Sequence, residues 1–204
     1  MSFSLIIIII TALTSYVAFT NNELYNKLIL WPRVMDRPGE YYRLLTSGFI
    51  HADWQHLIFN MLALFFFGDN VQLMYEYYMG KPQLFPIVYL LGIIMASLPS
   101  FAKHRNNGYY RSLGASGGVA AVLFAFVYMR PWAVIYVWFI PMPTIIAAVA
   151  YLVYSAYMSR KGGDNVNHDA HFWGAVFGFL FTWVFDPTHG SLFFEQLIRP
   201  SFNI

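Results

Sequence analysis

The 204-residue sequence has few charged residues and no cysteine. Asp, Glu, Lys and Arg make up 11% of the chain, whereas a soluble domain carries about 25%. A water-exposed surface with so little charge would aggregate, and the formal charge of +2 is too small to indicate a nucleic-acid partner. The absence of cysteine excludes disulfide scaffolds and thiolate metal sites. Because 58% of the residues are hydrophobic, the composition favours a protein that lies in the lipid bilayer.

The charges are concentrated between six long charge-free runs. A helix needs about 20 mostly apolar residues to cross the hydrocarbon layer, and only helices or closed barrels can span it. The alternating pattern of barrel strands is not seen. We therefore predict an all-α membrane protein, a compact bundle of six transmembrane helices in a single domain over 1–204, with a long interfacial first connection. The predicted spans are 3–20, 54–75, 83–102, 114–129, 144–159 and 167–186.

Three segments of the chain allow more specific expectations. The first run lacks the basic start and the small-residue cleavage site of a secretory signal peptide, so a retained helix is predicted and a cleaved signal peptide is the alternative. Residues 131–143 hold Pro141 and Pro143 and are predicted to form a loop. The tail from Pro187 is predicted to be interfacial or exposed.

Polar groups inside the predicted spans are costly and are functional candidates, and four of these residues stand out. His56 and Asn60 lie near the start of the second span, Ser116 near the start of the fourth and His171 near the start of the sixth. These three starts lie on the same side of the membrane, so the four residues share a similar depth. His56 and Asn60 are four residues apart, which places them on one helix face.

The surroundings of Ser116 suit a nucleophile. It lies in the segment Gly114-Ala-Ser-Gly-Gly118, where glycines let a substrate approach and the N–H groups of a helix start suit a developing oxyanion. An imidazole such as that of His171 is the usual partner that removes a serine's proton. Simpler interpretations exist: small residues pack helices together, and Asn60 or His171 could only bond neighbouring helices.

A metal site is a further alternative. Four histidines and two aspartates fall on one side of the predicted bundle, namely His51, His56, His168, His171, Asp53 and Asp169. Zinc enzymes use three histidines, or histidine with a carboxylate. However, a His-Glu-x-x-His motif is absent from the sequence, and a metal would leave Ser116 and its glycines unexplained. We predict neither a metal nor a cofactor.

These segments resemble the rhomboid intramembrane serine proteases of the bacterial type with a six-helix core. The resemblance covers about residues 40–186 and rests on three motifs in order. They are His51-Ala-Asp-Trp-Gln-His56-Leu-Ile-Phe-Asn60, Ser112-Leu-Gly114-Ala-Ser116-Gly117 and Ala170-His171-Phe-Trp-Gly174-Ala-Val-Phe-Gly178. Each motif alone is weak, whereas three at the matching ends of the matching helices are specific.

The resemblance implies an endopeptidase that cleaves transmembrane segments of partner membrane proteins through an acyl-enzyme. Ser116 would be the nucleophile and His171 the general base. The Ser116 N–H and the side chains of His56 and Asn60 would form the oxyanion hole. Supporting roles would fall to His51, Gly114, Gly117, Gly174, Gly178 and Arg43. The spacing of Gly174 and Gly178 also predicts that the sixth helix approaches the fourth closely and brings His171 to Ser116. The alternatives are a catalytically inactive rhomboid-like protein that binds transmembrane clients, and a small transporter, whose polar residues would be spread through the bundle.

Three positions depart from the family pattern. Tyr42 precedes Arg43 where the family commonly has Trp, and Gln72 stands where a helix-2 Glu is common. Ala120 lies four residues after the nucleophile, where an aromatic residue often packs on the catalytic histidine. His171 is therefore expected to be stacked differently or less tightly.

The membrane orientation receives two opposing predictions. The resemblance implies a bacterial inner membrane with the active site on the extracytoplasmic side. Nine of the 12 basic residues, however, fall in or beside the connections that precede the second, fourth and sixth spans. The positive-inside rule would place those connections, and the site, in the cytoplasm. We follow the resemblance, because a membrane-embedded first connection weakens simple counting.

Overall fold

A computed structural model describes residues 2–137, 139–162 and 166–199 as a bundle of helices with one short hairpin. The helices are α1 (Phe3–Thr20), α2 (Asn22–Leu28), α3 (Arg43–Thr46), α4 (Trp54–Met79), α5 (Leu84–His104), α6 (Ser116–Met129), α7 (Thr144–Lys161), α8 (His168–Phe185) and α9 (Thr188–Ile198). Single 3-10 turns lie at Pro32–Val34, Pro38–Glu40 and Ser47–Phe49. The strands are β1 (Val134–Val137) and β2 (Ile140–Pro143). The all-α prediction is confirmed.

Helices α1, α4, α5, α6, α7 and α8 fall where the spans are predicted. Among the described residues, α1, α4 and α5 are long and apolar enough to cross a membrane, and α6 is apolar but shorter. Helix α6 begins at Ser116 and not at Gly114, because Gly114 has a φ of 116°. That backbone conformation is left-handed and cannot open a right-handed helix.

Helix α6 is the centre of the bundle. Eleven of its 14 residues are buried, so protein surrounds it on nearly every side. Gly92 of α5 and Gly178 of α8 both face Ala121 of α6, and small residues at these positions let the three helices approach closely. A short helix is sufficient here, and it sets Ser116 back from the end of the longer α5.

The long first connection has secondary structure of its own. It contains α2, α3 and the three 3-10 turns, and it is attached to the segment before α6. Leu30 and Ser112 exchange two backbone hydrogen bonds of 3.0 Å. The Ser47 carbonyl accepts a bond of 2.9 Å from the Gly114 N–H. The connection therefore helps to fix the turn that leads into Ser116.

The predicted loop at 131–143 is wrong in part, because it contains the hairpin β1–β2. Val134 pairs with Pro143, and Val137 pairs with Ile140. A two-stranded hairpin has two open edges, and an edge strand tolerates proline because its N–H need not be bonded. The two prolines that suggested a loop therefore lie in β2. In the tail after Pro187, Thr188–Ile198 form α9, a helix that was not predicted from the sequence.

The start of α1 is held by α4 at the end of the bundle away from Ser116. The Phe3 N–H donates to Gln72 Oε1 at 3.0 Å, and the Ser4 hydroxyl donates to Asp69. A Cβ on Gly68 would lie 2.7 Å from the Ser4 Cβ. Gln72 thus replaces the more common glutamate with an amide oxygen that accepts a free N–H of the helix start.

Candidate active site

Ser116 and His171 are in hydrogen-bond contact. Ser116 is the first residue of α6, His171 lies in the first turn of α8, and the Ser116 Oγ is 2.8 Å from the His171 Nε2. Both side chains are partly buried. This distance is the one at which an imidazole can take a hydroxyl proton.

Two glycines of α8 allow this contact. A Cβ on Gly174 would lie 2.2 Å from the Gly117 carbonyl oxygen, and one on Gly178 would lie 2.0 Å from the Ala121 carbonyl oxygen. The neighbouring atoms belong to the α6 backbone and cannot rotate away. Because the two backbones touch here, the distance between Ser116 and His171 is fixed by main chain. This is the close approach that the sequence predicts for the two glycines.

The turn before Ser116 makes room for the ring of His56. A Cβ on Gly114 would lie 2.5 Å from the His56 Cε1, so only glycine fits both the space and the φ of 116°. The Asp53 side chain accepts the His56 N–H at 2.7 Å and caps α4. The structure therefore brings His56 against the turn two residues before Ser116.

Asn60 is buried one helical turn after His56. Its side-chain nitrogen donates to the His56 carbonyl oxygen at 2.8 Å. An amide nitrogen carries two hydrogens, and this bond uses one of them. Asn60 thus lies on the predicted face of α4, with its amide directed along its own helix.

His51 is buried between α1 and the turn that precedes Ser116. The Ser15 hydroxyl donates to the Phe49 carbonyl at 3.0 Å, and its oxygen lies 2.9 Å from the His51 Nδ1. The Ala115 N–H donates to the His51 Nε2 at 3.2 Å. This chain of bonds places the His51 proton on Nδ1, because Nε2 must accept.

The environment of His51 keeps its ring neutral. Burial, together with the positive charge that His56 can carry, lowers the pKa of His51 to about 3, against the opposing effect of Asp53. A neutral ring can accept from the Ala115 N–H at any pH near neutrality. His51 therefore connects α1 to the residue before the candidate nucleophile. Ser15 was not predicted from the sequence, since a serine inside a span is ordinary in membrane helices.

An aromatic ring packs on His171, but it comes from α7 and not from α6. Ala120, which stands where the family often has an aromatic residue, is buried. The Tyr151 ring lies almost parallel to the His171 ring, with centroids 5.9 Å apart and an interplanar angle of 21°. The His168 ring meets His171 edge-on at 5.7 Å. The sequence could not indicate Tyr151, because no spacing relates α7 to α8 before their packing is known.

Asn167 joins three segments beside the dyad and was also missed. Its Oδ1 accepts the Ala170 N–H at 3.1 Å, which caps α8. Its Nδ2 donates to the Ser100 hydroxyl at 3.0 Å and to the Ser112 hydroxyl at 2.9 Å. Asn167 is the first residue of the predicted span 167–186, and an asparagine at a helix start is a usual sign of an N-cap, so its role was predictable from the sequence.

Arg43 does not contact the dyad. Its Nε lies 2.6 Å from the Glu40 carboxylate, and its Nη1 donates to the Asn26 carbonyl at 2.7 Å and the Ile29 carbonyl at 3.0 Å. The neighbouring Tyr42 hydroxyl donates to the Lys27 carbonyl at 3.0 Å. Both residues hold the first connection together, so their support of the site is indirect.

Within the part of the chain that the structure describes, His, Asp and Glu side chains do not gather in a group of three that could hold a metal ion. The two ring nitrogens of His51 are already bonded to Ser15 and Ala115.

The fold and the site define a helical membrane protein in which Ser116 and His171 are in contact. The rhomboid domain family matches residues 38–187. The chain therefore belongs to the rhomboid family.

Several proteins with rhomboid names are similar to this chain. RHOMBOID-like protein 12, mitochondrial, of Arabidopsis thaliana is 27% identical over 69% of this chain and 45% of its own length. Rhomboid protein 1, mitochondrial, of Saccharomyces cerevisiae is 31% identical over 69% of this chain and 40% of its own. The putative rhomboid protease YdcA of Bacillus subtilis is 26% identical over 72% of this chain and 68% of its own.

The chain spans less than half the length of the two mitochondrial relatives. Because relatives of both mitochondrial and bacterial origin match, the expectation of a bacterial inner membrane gains no support from them. The fold and the family establish that this chain is a multi-pass membrane protein of the rhomboid family.

Proposed function

We propose that this protein is an intramembrane serine endopeptidase that cleaves transmembrane segments of partner membrane proteins. The observation that carries the proposal is the 2.8 Å contact between the Ser116 Oγ and the His171 Nε2. The main-chain contact of α6 with α8 supports it, because it holds this distance without flexible side chains. The protease names of bacterial relatives are consistent with the proposal.

In the proposed reaction, His171 Nε2 accepts the Ser116 hydroxyl proton while Oγ attacks the scissile carbonyl carbon. Nε2 can accept only when the ring proton lies on Nδ1. The tetrahedral intermediate then collapses, His171 returns the proton to the leaving amine, and an acyl-enzyme forms on Ser116. Water repeats the sequence on the ester, releases the carboxylic acid and restores the Ser116 hydroxyl.

The oxyanion would be stabilised at the start of α6. The first N–H groups of a helix have no intrahelical partner, and the Ser116 N–H belongs to this set. His56 lies against the preceding turn, and the second amide hydrogen of Asn60 completes the proposed set of donors. Removing one such donor typically costs about a hundredfold to a thousandfold in rate.

The proposed substrate follows from the position of Ser116. Carbonyls of an intact transmembrane helix are bonded within that helix, so a substrate must unwind locally before attack. Small or helix-breaking residues near the scissile bond should therefore increase the cleavage rate. Because the short α6 sets Ser116 back from the end of α5, the scissile bond would lie near or below the membrane surface.

Cleavage of a transmembrane substrate in proteoliposomes tests the proposal. Ser116→Ala and His171→Ala should each abolish cleavage and labelling by a fluorophosphonate. Ser191→Ala, at an exposed position of α9, is the matched control and should retain both. Wild-type protein that folds but neither cleaves nor labels would identify the inactive, client-binding alternative. Full activity of Ser116→Ala would overturn the assignment of the nucleophile.

A further inference from the structure

The hairpin β1–β2 exposes large apolar side chains at the end of the bundle away from Ser116. Helix α6 runs from Ser116 to Met129, and the hairpin follows directly. Residues 131–143 contain no charged side chain. Tyr136, Phe139 and Ile140 are 76%, 92% and 60% exposed. We call these three side chains the hairpin tip.

The backbone at the hairpin tip is strained. Phe139 has a φ of 70°, a conformation that is uncommon for bulky residues. Hairpin turns that need positive φ normally use glycine or asparagine. A phenyl ring here costs conformational energy and is almost fully exposed, so packing within this chain does not explain it.

The hairpin is firmly attached to α7 and α9. The Thr144 hydroxyl, on the first residue of α7, lies 2.6 Å from the Arg130 carbonyl and 2.9 Å from the Pro131 carbonyl. The Trp132 Nε1 donates to the Gln196 carbonyl of α9 at 2.7 Å. The position of the hairpin tip is therefore linked to the first turn of α7.

We propose that the hairpin tip inserts into the lipid leaflet on the side of the membrane away from Ser116 and anchors the start of α7 at a fixed depth. Tyrosine and other large apolar residues without charge suit the membrane interface. The hairpin connects two helices of the bundle, so it leaves the bundle at the level of that interface. Exposed Arg130 lies between α6 and β1 and can pair with a lipid phosphate. The proposal rests on the bundle lying in a membrane and not on its being a protease.

A fluorescent probe at the tip tests this placement. The chain has no cysteine, so Ile140→Cys gives one labelling site for an NBD probe and keeps Phe139. In phosphatidylcholine–phosphatidylglycerol vesicles, lipids with a doxyl group at carbon 5 should quench this probe, and aqueous iodide should have little effect. Lys81→Cys, in the exposed α4–α5 connection at the same end, is the matched control and should be quenched by iodide. Equal iodide quenching at both sites would show that the tip lies in water and would overturn the proposal. The same result is expected if the tip instead binds a water-soluble protein.

A second variant separates insertion from folding. In the labelled Ile140→Cys background, Phe139→Gly relieves the strained φ and removes the ring, so the detergent-solubilised protein should remain as stable as its parent. Iodide quenching of the probe should rise at least twofold in vesicles. Phe139→Leu keeps an apolar side chain and should leave quenching low. No increase in quenching for Phe139→Gly would show that the tip residue does not place the hairpin in lipid.

Discussion

Helix α6 has two neighbours that both reach the dyad, and they do so in different ways. On one side α8 touches the α6 backbone through Gly174 and Gly178. On the other side α7 has only three buried residues, Thr144, Ala148 and Ser155. An apolar pocket of about 300 Å³ is lined by side chains of α6, α7 and α8 beside the first half of α7. Helix α7 nevertheless supplies the Tyr151 ring that packs on His171.

The two helices control different properties of the site, namely the distance between Ser116 and His171 and the orientation of the His171 ring. The contact with α8 sets how far His171 is from Ser116, because main-chain atoms cannot be repacked. The contact with α7 limits how the His171 ring can turn, through one side chain on a helix with little buried surface. We expect changes on the α8 side to lower activity more than changes on the α7 side.

The largest effect is expected for Gly178→Ala. The added Cβ would lie 2.0 Å from the Ala121 carbonyl oxygen, so α8 must move away from α6. A displacement of about 1 Å can cost about a hundredfold in rate, and overpacking costs about 1–3 kcal/mol of stability. Cleavage rate and thermal unfolding in detergent would measure the two effects.

The control for this change is Gly108→Ala, because nothing lies within 4 Å of a Cβ built at Gly108. That variant should keep the wild-type rate and melting temperature. A Gly178→Ala protein that cleaves at the wild-type rate would show that the α6–α8 distance is not fixed by this contact.

A smaller effect is expected for Tyr151→Ala. Losing the ring frees His171 to rotate, and we expect kcat to fall about tenfold, which corresponds to about 1.4 kcal/mol, with KM little changed. Tyr151→Phe keeps the stacked ring and should retain most of the activity. Steady-state kinetics on a transmembrane substrate would separate the two parameters.

Moving the aromatic residue to α6 sharpens this test. Ala120 lies four residues after Ser116 and so on the same helix face. In the Tyr151→Ala protein, the added change Ala120→Tyr should recover part of the lost kcat, because it returns a ring to the neighbourhood of His171. Wild-type kcat in Tyr151→Ala alone would show that stacking does not orient the base.

The parts of this site that depend on local sequence patterns are predictable from the sequence. Charge-free runs locate the main helices, and glycine spacing in the sixth span predicts the approach of His171 to Ser116. Asn167 was missed although an N-cap is a local signal, whereas two other missed residues depend on tertiary packing. Tyr151 and Ser15 reach the site from helices whose neighbours the sequence does not specify. The hairpin was missed because Pro141 and Pro143 suggest a loop, whereas a free edge strand accepts them.

The smallest effect is expected at the third neighbour of α6, the first connection, where His51 accepts the Ala115 N–H. Burial lowers the pKa of His51 from 6.5 to about 3. On acidification, His51 is therefore protonated in the unfolded chain before it is protonated in the folded protein. The contribution of His51 to the free energy of unfolding is therefore fully present well above pH 6.5 and is lost progressively as the pH falls towards 3. Between pH 7.5 and 6.0 the loss should be about 0.8 kcal/mol.

Melting temperatures of the wild type and His51→Gln across this pH range would test the assignment, because the variant lacks this one ring and keeps the other histidines. The wild type should lose more stability than the variant between pH 7.5 and 6.0. Ser15→Ala removes the partner of the His51 Nδ1 but keeps the buried ring, so its pH dependence should stay close to that of the wild type. Parallel curves for wild type and His51→Gln would mean that His51 is not held neutral in the folded protein, and the hydrogen-bond chain from Ser15 to Ala115 would then be wrong.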